Sequence, residues 1–152
     1  MSIKNFSRWV VIGLSCAFVS LAQAAVSISP VGTWTKVDPE TKTPEALIQI
    51  TENADHTVFG KVIKVYNPAK NKTICQDCPE DFKNKPIVGM EILWDLKQAS
   101  DYTWNDGKLL SPKLGRVFSC NMTLGQDNQS LTIRVYTTTA LLGKTQTWYR
   151  AA

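Results

Sequence analysis

Gly32-Thr33-Trp34 and Gly143-Lys144-Thr145-Gln146-Thr147-Trp148-Tyr149-Arg150 are the two stretches that decide the fold of this 152-residue chain. The first lies on the first predicted strand and the second forms the last one. In a closed barrel these strands are neighbours, because closure removes the exposed edges of a sheet. A guanidinium over the face of an indole closes one end of such a barrel compactly. The predicted structural closure consists of Gly32, Trp34, Trp148 and Arg150.

The chain between these two ends shows no helical period of useful length, and short apolar runs alternate with turn residues. Sequential strands joined by short turns pair as antiparallel neighbours, and about eight of them close into an up-and-down barrel. We therefore predict an all-β fold of this kind, with an open β-sandwich as the alternative. The turn signal Asn105-Asp106-Gly107 leaves it undecided whether the fifth run is one strand or is split into a hairpin. The predicted strands span residues 32–37, 46–52, 57–66, 87–96, 102–110, 118–124, 131–136 and 144–150.

Residues 67–86 form one long polar connection between the third and fourth predicted strands. Loops of this length are uncommon in compact domains and often act as lids or binding loops, although a tolerated surface insertion explains this one equally well. The loop contains Cys75-Gln76-Asp77-Cys78. We predict a disulfide between Cys75 and Cys78, with a bridge from the loop to Cys120 as the second choice.

Other chemistry for the cysteines lacks the context that it needs. A thiol redox site needs a helix N-terminus in a βαβ unit, and neither is visible. A zinc site would have to add Cys120 and His56, but Cys120 lies on an apolar strand face and His56 in a distant turn. The carboxylates Asp95, Asp101 and Asp106 are explained by solvated turns and strand ends. We therefore expect no catalytic residue, no metal and no cofactor.

The predicted barrel interior supplies the candidate ligand-binding residues. Residues 118–124 alternate between an apolar face and a polar face, and so do residues 131–136. The same apolar side chains could instead fill the barrel themselves. Basic residues on several strands could meet an anionic head group, or face solvent: Lys61, Lys64, Arg116, Arg134 and Lys144. The candidate interior residues are Trp104, Phe118, Met122, Leu124 and Ile133.

Residues 1–24 have the pattern of an export signal. Lys4 and Arg8 precede an apolar run, and Ala22-Gln23-Ala24 is a small-residue cleavage site. Cys16 raises the question of a lipid anchor, but the apolar run continues past it, which argues against a lipoprotein. Cleavage leaves residues 25–152 as a single domain. It removes two of the 17 basic residues and none of the 13 acidic residues, so 15 basic and 13 acidic residues remain. This net charge of +2, without a basic cluster, gives nucleic-acid binding little support.

Short motifs spread over nearly all of the mature chain occur in one order: Ser29-Pro30-Val31-Gly32-Thr33-Trp34, Gly60-Lys61-Val62, Cys75-Gln76-Asp77-Cys78, Lys85-Pro86-Ile87-Val88-Gly89-Met90, Gly115, Cys120 and Leu142-Gly143-Lys144-Thr145-Gln146-Thr147-Trp148. The two ends resemble the lipocalin and fatty-acid-binding superfamily. The whole set resembles the bacterial domain-of-unknown-function family numbered 2147. That resemblance implies an exported, lipocalin-like barrel of the bacterial envelope, and it implies no reaction.

These observations predict a non-catalytic, exported protein that binds a small, partly apolar or lipid-like molecule in its barrel. The alternative is an envelope interaction or structural module with a self-filled barrel, and the third hypothesis is a redox or metal role for the cysteines. We expect a periplasmic location, with secretion as the alternative. We expect no nucleic-acid partner and no membrane span, and the sequence names no protein partner.

Overall fold

A computed structural model describes residues 27–152, so the predicted export signal at residues 1–24 lies outside the described residues. Eight strands pair with their sequence neighbours in antiparallel fashion, and β8 pairs with β1 to close the barrel. This confirms the predicted all-β, up-and-down barrel. The elements are β1 (Gly32–Val37), β2 (Pro44–Glu52), β3 (Thr57–Val65), β4 (Glu91–Ser100), β5 (Thr103–Ser111), β6 (Arg116–Leu124), β7 (Ser130–Tyr136), a single 3-10 turn (Ala140–Leu142) and β8 (Lys144–Arg150).

The barrel has two different ends. The β1–β2, β3–β4, β5–β6 and β7–β8 connections lie at one end, which we call the loop end. The chain segment before β1 and the tight β2–β3, β4–β5 and β6–β7 turns lie at the other, which we call the closed end. Trp34 pairs with Arg150 across the β1–β8 seam near the closed end. The sequence-distant ends therefore meet as the two motifs predicted.

The core follows the period-two alternation of the strands, because successive side chains of a strand point to opposite faces. In β2, Ala46, Ile48 and Ile50 are buried and their neighbours are not. In β6, Cys120, Met122 and Leu124 are buried in the same way. Among residues 27–152, no polar or charged side chain is buried. The interior is therefore packed with apolar side chains.

The largest differences from the predicted strand boundaries are in the fourth strand, which ends at Ser100 and not at residue 96. The fourth strand begins at Glu91 and not at residue 87. Gly89 has a φ of 89° and the Met90 amide donates to the Ile87 carbonyl, so a turn occupies the predicted start. The second strand begins earlier than predicted, at Pro44. The long connection consequently extends over residues 66–90.

The hairpin that the sequence left open within the fifth run is absent, because β5 is continuous from Thr103 to Ser111. Its pairing with β6 shifts register between Trp104 and Gly107, and Asp106 has a φ of 61° there. This is the behaviour of a β-bulge, which bends a strand without ending it. The Asn-Asp-Gly signal thus marks an irregular point of the barrel wall.

Candidate functional site

The closed end is built around Arg150. Its guanidinium carbon lies 4.2 Å from the centre of the Trp34 ring, within cation–π distance. Its Nε donates to the Asn128 carbonyl at 2.6 Å, Nη1 to the Val31 carbonyl at 3.1 Å and Nη2 to the Ser29 carbonyl at 3.3 Å. One side chain therefore ties β8 to the segment before β1 and to the β6–β7 turn.

Gly32 and the two tryptophans complete this end. Gly32 has a φ of 139°, and a Cβ placed there would lie 2.6 Å from Arg150 Nη1, so the guanidinium needs a residue without a side chain. The Trp34 indole donates to the Pro30 carbonyl at 2.8 Å. Trp148 is also fully buried, but its indole N–H has no acceptor among the described residues. The structure thus brings all four predicted closure residues to one part of the barrel.

Four of the five predicted ligand-binding residues are buried in the core. Met122 and Ile133 have no exposed surface, Leu124 is 1% exposed and Trp104 is 3% exposed. A side chain without accessible surface touches no space that a water molecule could fill. These side chains therefore pack against one another, and the barrel is filled at their level.

The barrel interior is different near the loop end. The strand register puts Lys36, Val65, Phe118, Val135 and Gln146 on the inward face, and each of them is only partly buried. We call this ring of inward residues the mouth. Of the predicted set, it contains only Phe118. The other four were not predicted, although the alternation that places Trp148 inward also places Gln146 inward.

Basic side chains lie at the rim of this mouth. The Arg116 guanidinium lies 5.7 Å from the centre of the Phe118 ring. Lys144 pairs with the inward residue Val135, and it is exposed. Lys36 forms an ion pair with Glu45, and both side chains are partly buried. The mouth therefore combines apolar walls with cationic groups, of which Arg116 and Lys144 are not paired with a carboxylate of the described residues.

One ion pair spans the mouth. Lys113 in the β5–β6 turn lies 3.7 Å from the Asp38 carboxylate in the β1–β2 connection. Those two connections face each other across an eight-stranded barrel. Backbone hydrogen bonds from Thr41 and Glu40 are the main reason why the pKa of Asp38 is lowered, and the charge of Lys113 adds to them. The pair is exposed on the lysine side, so it is a weak tie.

The long β3–β4 connection packs beside the mouth. Phe82 stacks on Trp94, with ring centres 5.9 Å apart, and Trp94 pairs with the exposed Lys108 on the outer face of the barrel wall. The backbone of Asp77 lies so close to Gly115 that a Cβ on Gly115 would collide with it. The segment therefore covers the outer wall next to the β5–β6 turn.

Two surface pockets open directly to solvent, and both lie outside the barrel. The first has a volume of about 390 Å³ and lies between the long connection and the start of β4, next to Phe82, Lys85 and Met90. The second, of about 760 Å³, lies at the closed end beside Ser29, Asn128 and Arg150. Neither is lined by the predicted interior residues.

The predicted disulfide between Cys75 and Cys78 is confirmed. Cys75 and Cys78 form the disulfide, and the alternative bridge to Cys120 is not formed. Cys120 is a free thiol without exposed surface on the inward face of β6. Burial raises its pKa to about 12, because the apolar interior disfavours the thiolate. A redox role for this thiol would need the anion that the interior suppresses.

We expect Cys120 to be inert in the folded protein. The mature chain, residues 25–152, should show no thiol that reacts with dithionitrobenzoate at pH 8, and one reactive thiol after denaturation in guanidinium. The free thiol in the fold has a raised pKa, so stability should fall as pH rises above about 9, where the unfolded state releases its proton. The Cys120→Ser variant, with no reactive thiol in either state, is the control. A fast-reacting native thiol would contradict the burial of Cys120.

The remaining candidates do not form a site. His56 lies in the β2–β3 turn at the closed end, 2.5 Å from Glu52, and the topology puts it at the opposite end from the cysteine loop. Asp95 and Asp106 both have positive φ angles in irregular strand positions. Among the described residues, no group of three or more histidine, cysteine or carboxylate side chains could hold a metal ion.

A closed antiparallel barrel of eight strands, sealed at one end by an arginine over a tryptophan and bearing the long β3–β4 connection at the other, defines a lipocalin-like barrel. The chain belongs to the family described as "Uncharacterized protein conserved in bacteria (DUF2147)", whose model matches residues 32–150. A similar solved structure is described as "Protein HP1028 from the human pathogen Helicobacter pylori belongs to the lipocalin family". The two share 18% identity and a TM-score of 0.69, over 82% of this chain and 84% of that chain.

The comparisons therefore establish the family and the fold. At 18% identity the structural likeness carries the fold alone. No curated protein sequence matches the chain. Within residues 27–152, no helix has both the length and the apolar character needed to cross a membrane.

Proposed function

We propose that this protein is an exported, non-catalytic protein of the bacterial envelope that binds a small, partly apolar, anionic molecule in the mouth of its barrel. The observation that carries the proposal is the contrast in burial along the inward faces of the strands. The inward residues below the mouth have almost no exposed surface, whereas the mouth residues Val65, Phe118 and Val135 are only partly buried. Binding sites are concave and mostly apolar, with a few placed polar groups.

The charges support an anionic ligand. Arg116 lies over Phe118, and Lys144 lies next to Val135, so two cations border the apolar ring. A carboxylate or phosphate at the rim would accept charge-assisted hydrogen bonds from them, and its apolar part would contact the ring. Gln146 adds one neutral polar group on the same inward face.

The filled lower part of the barrel limits how deeply a ligand can enter. Trp34, Trp148 and Ile133 have no exposed surface, so the bulk of a ligand lies above them. The Lys113–Asp38 pair across the mouth is a tie that an incoming anion can compete with, because the lysine is exposed. The proposal is therefore a shallow site for one small amphiphile.

Export is proposed on two grounds. Residues 1–24 have the composition of a cleaved signal, and the Cys75–Cys78 disulfide suits an oxidising compartment such as the periplasm. We propose no reaction for this site, since the mouth offers no nucleophile with a base beside it.

The filled interior also favours a second candidate function. A barrel whose inward side chains occupy its volume can serve as a rigid module that presents its outer surface to another envelope protein. The buried set Met122, Leu124 and Ile133 fits this candidate as well as it fits a shallow site. Occupancy of the mouth distinguishes the two.

Titration with anilinonaphthalene sulfonate, an apolar dye with one negative charge, tests the proposal. We expect the dye to bind and Val135→Asp to weaken binding at least tenfold, because it places a negative charge on the inward face. Thr132→Asp is the matched control, since Thr132 lies on the outward face of the same strand. Equal affinities of both variants, or no dye binding by the folded wild type, would favour the self-filled module.

Native mass spectrometry of the mature protein purified from its own envelope identifies the natural occupant. A reproducible adduct that is lost on denaturation, and absent from Val135→Asp, would support a ligand in the mouth and give its mass. A bare chain in both preparations would favour the interaction module.

A further inference from the structure

We infer that the β5–β6 and β7–β8 turns form a docking surface for an anionic lipid membrane. The inference starts from two leucines in the 3-10 turn between β7 and β8, Leu141 and Leu142, which are 89% and 82% exposed. Leu114, in the β5–β6 turn, is 62% exposed. Exposed apolar side chains are common singly, but a group of them at one end of a barrel indicates a contact surface. With the basic residues beside them they define the leucine–basic edge: Leu114, Leu141, Leu142, Lys113, Arg116 and Lys144.

The leucine turn is held in place. The Arg134 side chain donates from Nε to the Ala140 carbonyl at 2.6 Å and from Nη2 to the Leu141 carbonyl at 2.9 Å. Its Nη1 donates to the Thr145 hydroxyl at 2.9 Å. The turn is therefore fixed by β7 and β8, and the two leucine side chains point away from the protein without support from its core. Preorganised apolar groups lose little freedom when they bind.

The chain segment that carries this edge is predominantly basic. From Gly107 to Arg150 the only acidic residue is Asp127, which lies in the β6–β7 turn at the closed end. The acidic residues of the loop end belong to the other two connections and the strands beside them. Two of these approach the edge: Asp38 pairs with Lys113, and the Asp77 carboxylate is paired with Lys72 at 2.8 Å. The basic residues of the segment are Lys108, Lys113, Arg116, Arg134, Lys144 and, at the closed end, Arg150.

A lipid surface fits this combination better than a protein surface does. Exposed leucines beside Arg116 and Lys144, which have no carboxylate partner among the described residues, match an interface that is apolar inside and negatively charged at its face. Protein interfaces are enriched in aromatic anchors, and the three exposed apolar residues of the edge are all leucines. The surface lies at the end where the mouth opens. The inference does not require that the mouth holds a ligand.

Sedimentation of the mature protein with vesicles tests the inference. Binding is expected to vesicles of equal parts phosphatidylglycerol and phosphatidylcholine, and to be at least tenfold weaker to phosphatidylcholine alone. Each basic residue near an anionic surface is worth about fivefold. Raising the salt should weaken binding, because it screens exposed charges.

Leu141→Ser combined with Leu142→Ser should lower binding by roughly tenfold or more, from the apolar area that no longer enters the lipid. Both side chains are exposed, so the fold is not at risk. The matched control is Ile28→Ser with Val31→Ser, which removes two exposed apolar residues from the closed end. As a local readout, tryptophan in the Leu141→Trp variant should shift its emission to shorter wavelength on vesicles, whereas tryptophan in Tyr149→Trp should not.

Binding that is unchanged by loss of the two leucines, or equal for both vesicle types, would overturn the inference. A leucine-dependent dimer in sedimentation velocity without vesicle binding would also overturn it, in favour of a second copy as the occupant. Dye binding in the mouth is measured without vesicles, so failure of membrane docking and failure of the proposed ligand site are distinguishable.

Discussion

Trp34→Ala should destabilise the barrel by about 3–5 kcal/mol, the range for truncating a buried large aromatic side chain. Trp34 has no exposed surface, its indole donates to the Pro30 carbonyl, and the Arg150 guanidinium lies over its ring. The substitution removes the packing, the hydrogen bond and the cation–π contact together. Denaturant unfolding of the mature protein measures the effect, and the thermal midpoint should fall by roughly 10–20 °C.

Trp94→Ala is the matched control, since it removes the same side chain from a half-buried position on the outer wall. Its ring stacks on Phe82, and an aromatic pair contributes about 0.5–1.5 kcal/mol beyond its buried area. We expect a loss well below that of Trp34→Ala. If the two variants were equally stable, Trp34 would not be the residue that closes the barrel.

The architecture was predictable because local and distant signals agreed. Alternation in residues 118–124 gave the inward face of β6, and the Gly-x-Trp and Trp-x-Arg motifs indicated that β1 and β8 meet. Agreement of strand period, turn residues and closure motifs is what a chain with one favoured fold shows. The disulfide followed from the spacing of Cys75 and Cys78.

The details of the loop end were not predictable in the same way. Residues 87–90 are apolar enough to read as strand, yet the positive φ of Gly89 and the bond from Met90 to Ile87 make a turn. Backbone angles of this kind depend on what the segment packs against, here the barrel wall at Val62, whose carbonyl accepts from Gly89. This contact cannot be deduced from the sequence.

The depth of the proposed site within the barrel could not be predicted from the sequence. Periodicity identifies which residues face inward, but it does not say whether the space between them is filled. Met122 and Ile133 are inward and fully packed, whereas Val65 and Val135 are inward and partly open. The difference depends on side chains from strands distant in sequence, and on the distance of each residue from the closed end.

Arg150→Met should cost about 2–4 kcal/mol, although the unbranched methionine keeps the packing of the aliphatic part of the arginine. The change removes the charge over Trp34 and leaves the carbonyls of Ser29, Val31 and Asn128 without their donor. Hydrogen bonds from charged donors contribute more than neutral ones, and unpaired acceptors cost free energy where water does not reach them. Denaturant unfolding of the mature protein measures the loss.

Arg116→Met is the matched control, because Arg116 also lies over an aromatic ring. Its exposed side chain donates no hydrogen bond to the described residues. We expect a loss below about 1 kcal/mol there, the size of an exposed cation–π contact. Arg150→Lys should fall between the wild type and Arg150→Met, since an ammonium group keeps the charge but does not span three carbonyls. Equal effects of Arg150→Met and Arg116→Met would mean that the cation–π contact, and not the three carbonyl bonds, is what Arg150 contributes. Two of the three bonds, those to Val31 and Ser29, join segments more than 100 residues apart, so their loss should open the β1–β8 seam first.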